Sequence, residues 1–308
     1  MPYIYAQCLM DDTGVRGAEP FFADRAAQKR NFASAATSFA SGDGLHREVA
    51  GRMLDRFDVI KLAPRRILDL GSGTGAASAG LLTRFPAAGV VGLDLAESMA
   101  RAGMPRLEGW RRLLGRAPTV SAVCGDMAAL PFGSGAFGLV WSNLSLHWLD
   151  DPLLAIREAQ RVLEVDGLFM FSTLGPDTLK ELRAAFVEAG PGWHVKRFID
   201  LHDIGDALGG AGFGAPVMDM EILTLTYADL DGLFADLRAT GSANAMIGRR
   251  RTLTGRARIE RVRAAYESSR RAGRLPATFE VIYGHAWKAA PRRRTSGEAV
   301  ISFTPRRK

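Results

Sequence analysis

Five short apolar runs, rich in branched side chains, punctuate the middle of the chain: RILDL at 66–70, GVVGLDL at 89–95, VSAVCGD at 120–126, FGLVWSN at 137–143 and GLFMFST at 167–173. Runs of this length, closed by acidic or polar residues, have the pattern of strands buried on both faces. Between most of them the sequence reads helical, over 76–85, from 97 onward and over 152–163. Strands alternating with helices imply a parallel sheet covered on both faces, and right-handed crossovers make it doubly wound. Two longer strand candidates follow at 215–227 and 277–287, with helical segments between them near 229–240 and 256–271. Upstream, 24–57 reads as two helical pieces broken at SGDG, 41–44. Residues 1–24 have no clear period and are expected to be poorly ordered, and 291–308 form a basic, flexible tail. The expectation is one Rossmann-like domain over 25–290, with helical additions at its start and between its last two strands.

Composition narrows this picture. The chain has 308 residues, 47% of them hydrophobic and 24% charged, which is ordinary for a globular protein. No apolar run approaches the roughly 18–20 residues needed to span a bilayer. The N-terminus lacks the basic-then-apolar order of a secretion signal and carries Asp11, Asp12 and Glu19. Two cysteines, Cys8 and Cys124, offer neither a disulfide framework nor a zinc spacing, so a cytoplasmic, reduced protein without a metal is expected. The net charge of +7 is uneven. Residues 249–274 hold ten arginines against two glutamates, and the tail from Lys288 adds seven basic residues against one glutamate. The rest of the chain is therefore acidic. No aromatic stripe is interleaved with the arginines, which argues against a nucleic-acid surface.

The chemistry starts at LDLGSGTG, 68–75. Gly71, Gly73 and Gly75, with Ser72 between the first two, fall where the first strand gives way to a helix. Glycine there permits positive φ and close backbone approach to a ligand. Asp94, at the end of the second strand and followed by Leu95, can accept both hydroxyls of a ribose. These features alone fit either a nicotinamide dinucleotide or S-adenosylmethionine. Three details favour the second. The spacing is G-x-G-x-G rather than G-x-G-x-x-G. Asp69 places an acceptor beside the turn, which suits a cationic cofactor and repels a pyrophosphate. Asp126, followed by Met127, ends the third strand and can accept from an adenine amino group. Asn143, after the fourth strand, can bind the cofactor or pin its own loop.

The ordered motifs LDLGSGTG, GLDLAESM, GDMAALPF, FGLVWSNLSLHWLDDP and RVLEVDGLFMFSTLGPDTLKEL resemble those of class I S-adenosylmethionine-dependent methyltransferases. More narrowly, SNLSLHW, FSTLGPDTLKELRAAF, HVKRFIDLHDIGDAL and GRLPATFEVIYGHAW are similar to the malonyl-[acyl-carrier protein] O-methyltransferase family of biotin synthesis, from about Phe32 to Trp287. That resemblance implies a seven-stranded sheet with its last strand antiparallel and a helical lid, about 229–274. It implies methylation of the free carboxylate of a malonyl thioester. A carboxylate is already ionised at neutral pH, so neither a base nor a nucleophile is needed; holding the reactants in line and excluding water suffice.

What is needed is a cation to orient the carboxylate, and Arg197 in HVKRF is the leading candidate, with Arg183 and the lid arginines behind it. His147 and Trp148 fall where this family places residues near the methyl group. The chain departs from the family in its first helix, where Ser34, Phe39 and His46 stand for the usual Arg, Tyr and Gln; Phe39 remains a candidate substrate contact. The carrier protein of this pathway is acidic, and the arginines of 249–271, among them Arg256, Arg258, Arg261 and Arg263, are expected to dock it. The helical face Ile259, Val262 and Tyr266 would bury. The stretch 103–119 is read as a surface helix or a partner contact. A complex I assembly-factor-like protein that modifies a protein side chain, and a methyltransferase acting on a small molecule, remain open as alternatives.

Overall fold

The computed structural model describes residues 22–103, 120–252 and 254–290. Its strands are β1 (Arg66–Leu70), β2 (Gly89–Asp94), β3 (Val120–Cys124), β4 (Phe137–Ser142), β5 (Leu163–Leu174), β6 (Phe213–Tyr227) and β7 (Leu275–Lys288). They form one sheet in the order β3-β2-β1-β4-β5-β7-β6. The first five run parallel, and β7 is inserted antiparallel between β5 and β6. This is the Rossmann-like seven-stranded sheet expected from the sequence. Its order reverses between β1 and β4, so the crevice for a ligand lies beyond the carboxyl ends of these two strands.

Among the described residues the helices are α1 (Arg25–Ala35), α2 (Phe39–Gly42), α3 (Gly44–Asp55), α4 (Ala76–Arg84), α5 (Glu97–Ala102), α6 (Pro152–Val162), α7 (Lys180–Glu188), α8 (Leu201–Gly210), α9 (Leu230–Ala239) and α10 (Arg256–Glu267). Alternate strand residues feed opposite faces. Ile67, Val90, Leu139, Trp141 and Met170 join one core with α3, α4, α7, α9 and α10. Leu68, Val91, Val140, Phe169 and Phe171 join the other with α6 and α8. Continuous burial along β4 explains its unbroken apolar run, whereas edge strand β6 alternates in exposure.

Three expectations change. The first helical region has three pieces, because the chain also breaks before Ser38, whose hydroxyl donates to Ala239 O at 3.2 Å. Residues 22–24, expected to belong to the poorly ordered start, are tied down: Asp24 N donates to Ala245 O at 2.7 Å and Ile247 N to Phe22 O at 2.8 Å. Of the segment expected to cover the site, α9 and the turn after it line a cavity, while α10 packs against α7 and buries Val262 and Tyr266. The rest of the N-terminal call, most of 103–119 and the tail 291–308 lie outside the described residues.

Candidate active site

The glycine loop is shaped by its neighbours. Gly71 N and Ser72 N both donate to Leu93 O, at 2.8 and 3.0 Å, which draws the loop over the end of β2. Gly71, Gly73 and Gly75 all have positive φ, at 77°, 52° and 81°. A side chain on Gly71 would overlap Ser145, and one on Gly75 would lie 2.8 Å from the Gly103 backbone. Ser145 in turn donates to Leu70 O at 2.9 Å, so the ends of β1 and β4 are fixed to each other.

The loop separates two lobes of one crevice. One is lined by Gly71, Gly73, Leu93, Asp94, Leu95, Met99, Asp126, Met127, Asn143 and Ser145. The other is lined by Asp69, Ser72, Thr74, Ala76 and Ala77. Phe39, His46, Gly71, Gly73 and Asn143 border both. Asp94 accepts from Gly73 N through Oδ2 at 3.0 Å and from Ala96 N through Oδ1 at 2.9 Å. Each oxygen keeps a free lone pair, as recognition of a vicinal diol requires. Burial raises the Asp94 pKa against these two hydrogen bonds. Asp69 is enclosed and accepts from the Ser78 hydroxyl; burial pushes its pKa to about 6, with Asp94 adding repulsion. A cation entering this lobe would restore the ionised form.

Asp126 is already engaged. Its Oδ1 accepts from Ala128 N at 2.9 Å and its Oδ2 pairs with Arg25 of α1. Two of its four lone-pair sites remain, flanked by the apolar walls of Met127, Leu95 and Met99 that an adenine ring needs. Asn143 is committed to protein at both ends of its amide: Nδ2 donates to His46 O at 2.9 Å and Oδ1 accepts from Ser172 at 2.9 Å. It pins the loop while bordering the crevice. The donor set thus fits a nucleoside with a cationic end, and no part of it is shaped for a pyrophosphate. Gly75 lines neither lobe and shapes the turn that leads into α4.

A second cavity opens from the crevice. Gln28, His46, Leu144, Trp148, Thr240 and Ser242 border both spaces. Its walls are largely apolar, from Leu45, Leu174, Leu182, Phe198, Leu225 and Phe279 among others. His46 alone among the described residues borders this cavity and both lobes of the crevice. Its Nδ1 is buried with no hydrogen-bond partner among the described residues, and burial lowers its pKa to about 4. His147 is likewise held neutral, by burial first and by Lys196 and His46 next. The Trp148 ring stands edge-on to Phe32 at 4.9 Å. Leu144 has φ 47°, a left-handed conformation unusual for a bulky side chain, at the threshold between the two spaces.

The structure brings His147, Trp148 and Phe39 to these spaces. It places Arg197 elsewhere: Arg197 and Arg183 line an adjoining cavity, which shares His147, Leu174, Lys196 and Phe198 with the one that meets the crevice. His46 and Leu144 had no functional signal in the sequence; His46 registered only as a departure from a glutamine. The only trace of Leu144 was its place in SNLSLHW.

Comparison with known proteins agrees with this geometry. Residues 68–171 match the family described as a methyltransferase domain. The fold is shared with the YcgJ protein of Bacillus subtilis (TM-score 0.55, 17% identity, covering 79% of this chain and 99% of that one). A putative methyltransferase from Bacillus halodurans is as similar (TM-score 0.55, 17% identity, 78% and 98%). Sheet, glycine loop and crevice together define an S-adenosylmethionine-dependent methyltransferase. The Malonyl-[acyl-carrier protein] O-methyltransferase of Laribacter hongkongensis is 49% identical over 93% of this chain and 98% of its own. That of Gallionella capsiferriformans is 48% identical over 91% and 97%. The chain belongs to the malonyl-[acyl-carrier protein] O-methyltransferase family.

Proposed function

We propose that the protein methylates the free carboxylate of a malonyl group carried as a thioester on acyl carrier protein, at the start of the route to biotin. The observation that carries this reading is the doorway at His46, Leu144 and Trp148, through which the nucleoside-shaped crevice meets an apolar cavity. Bound S-adenosylmethionine supplies a methyl carbon already activated by a sulfonium. Asp94 would hold the ribose, Leu95, Met127 and Asp126 would receive the adenine, and Asp69, Ser72, Gly71 and Gly73 would receive the amino-acid end. Trp148 walls the meeting point, with Phe39 on the crevice side and His147 on the cavity side.

The step is a displacement: a carboxylate lone pair forms the new O–C bond, and the C–S bond breaks with its electron pair going to sulfur. No proton moves, which agrees with a neutral His46 at the doorway and a neutral His147 in the cavity wall. The protein's contribution is alignment and exclusion of water. The acyl carrier protein is the acidic partner, met by exposed arginines; neither nucleic acid nor membrane has a part, and the cytoplasm is the compartment. Incubation with S-adenosylmethionine and malonyl-acyl carrier protein should add one methyl group, removable by mild ester hydrolysis. Absence of the ester, or equal methylation of an acetyl carrier protein that has no free carboxylate, would overturn the reading. Rescue of a biotin auxotroph lacking this step tests the pathway.

A further inference from the structure

We infer that Lys196, and not its neighbour Arg197, is the cation that orients the substrate carboxylate; the assignment rests on the reaction proposed above. A carboxylate entering an apolar cavity loses its hydration and must find a charged partner there. Among the described residues, Lys196 is the one lysine or arginine that lines the cavity opening from the cofactor crevice. Three histidines, His46, His147 and His194, also line it, but burial lowers the pKa of each and leaves them uncharged at neutral pH. Asp236, the remaining ionisable wall residue apart from Tyr227, is an acid that already accepts from the Tyr227 hydroxyl at 3.0 Å.

Burial lowers the pKa of Lys196 too, with Asp150 acting against it, and the side chain is anchored rather than mobile. Its Nζ lies 3.2 Å from Asp150 Oδ1 and donates to Leu149 O at 3.2 Å. Asp150 is fixed from its other oxygen by Ala23 N at 2.9 Å. An ammonium has three donors, so the third has no partner among the described residues. Leu149 and Asp150 directly follow His147 and Trp148, so these contacts hold the ammonium against the doorway loop. Arg197 borders only the adjoining cavity. A point charge also suits the chemistry. A guanidinium clamps both carboxylate oxygens at once, whereas an ammonium can hold one and leave the other to attack.

The test compares Lys196→Met and Lys196→Arg with the wild type. Three quantities are read: KM for malonyl-acyl carrier protein, S-adenosylmethionine affinity by calorimetry, and inhibition by the neutral methyl ester of the malonyl carrier protein. In Lys196→Met, KM for the carboxylate should rise roughly ten- to a hundredfold, from loss of a charged hydrogen bond, while cofactor affinity and inhibition by the ester stay within about twofold. Lys196→Arg should recover much of the loss in KM but turn over more slowly, because a guanidinium can engage both carboxylate oxygens. If KM is unchanged, or if carboxylate and ester weaken equally, Lys196 is a prop for Asp150 and the assignment falls. Should Lys196→Met fail to fold with Asp150 left unpaired, the double variant Lys196→Met/Asp150→Asn removes both charges and is read in the same way. A wild type that never methylates malonyl-acyl carrier protein overturns the reaction itself; normal wild-type turnover with an unaffected variant overturns Lys196 alone.

Discussion

The crevice beside the glycine loop and the cavity behind Trp148 share a doorway but are assembled differently. The crevice takes its polar groups from the ends of successive parallel strands: Asp69 from β1, Asp94 from β2 and Asp126 just after β3. Each contribution is a few residues long and locally determined. The cavity takes its walls from α1, α3, the segment 174–182, the segment 194–198, β6, α9, the loop 240–246 and β7. Its chemistry exists only after distant segments have packed. Cofactor recognition therefore rests mainly on local strand ends, with α1 and Phe39 added at the rim, whereas the substrate cavity is assembled from segments far apart in sequence.

The largest effect should come from the loop itself. Gly71→Ala forces a side chain into Ser145 at a φ of 77°. Left-handed backbone for alanine costs about 1–2 kcal/mol and overpacking a further 1–3 kcal/mol. Thermal unfolding should show a loss of several degrees and calorimetry no cofactor binding; a variant as stable and as tightly binding as the wild type would break the claim that the loop is rigidly built. Asp94→Ala should come next. It removes the proposed ribose acceptor and frees Gly73 N and Ala96 N, and should weaken S-adenosylmethionine by about 2–4 kcal/mol. Substitutions confined to the cavity, such as Leu225→Ala, should leave that affinity nearly untouched.

Asp69 sharpens the contrast through pH. Its folded pKa of about 6 lies above the unfolded value of 3.8, so the ligand-free fold prefers the neutral carboxyl. That contribution is complete below pH 3.8 and is lost as pH rises through 6. Asp69→Asn should then stabilise the free protein at pH 8 by about 2–3 kcal/mol while weakening cofactor binding. In the wild type, affinity for the cationic cofactor should rise between pH 5 and 7 as Asp69 ionises, and the Asn variant should lose that slope. A flat wild-type profile would place the cofactor's amino group elsewhere.

The smallest effect should come from the surface. The arginine-rich segment was read as a docking face, but much of it serves the fold. Arg258 donates to Pro191 O at 2.6 Å, Arg263 pairs with Asp231 at 2.7 Å and Arg249 with Asp24 at 2.9 Å. Exposed Arg250, Arg251 and Arg256 are better placed to steer an acidic carrier. Reversing Arg256 should raise KM for the carrier-bound substrate about two- to threefold at low salt and less at high salt, leaving malonyl-CoA unaffected. Equal effects on both substrates would remove steering from the picture.

This division also explains what the sequence made legible. Strands β1, β2, β4 and β5 could be read because burial writes an apolar run, and the acidic residues closing β1, β2 and β3 follow directly in the sequence; β3 itself is only partly buried. Lys196 was not among the cations the sequence suggested, which were Arg197, Arg183 and the lid arginines. Lys196 and Arg197 are adjacent, equally basic and outside regular structure, and only tertiary packing decides which lines which cavity. His46 was similarly hidden, because its importance lies in where three spaces meet. The expected single break between the first helices missed the one before Ser38, whose partner lies some 200 positions away.

Helix α1 has a consequence of its own. On one side Arg25 pairs with Asp126, and Gln28 donates to Trp148 O at 2.9 Å. On the other, Asn31 donates to Ala243 O at 3.0 Å, and Asp24 holds Arg249. The helix is thus a clasp fastened to the nucleoside end and to the far wall of the acyl chamber together. Because the four contacts lie on one short helix, a change that displaces it would disturb the Asp126 end of the crevice and the loop 240–246 together.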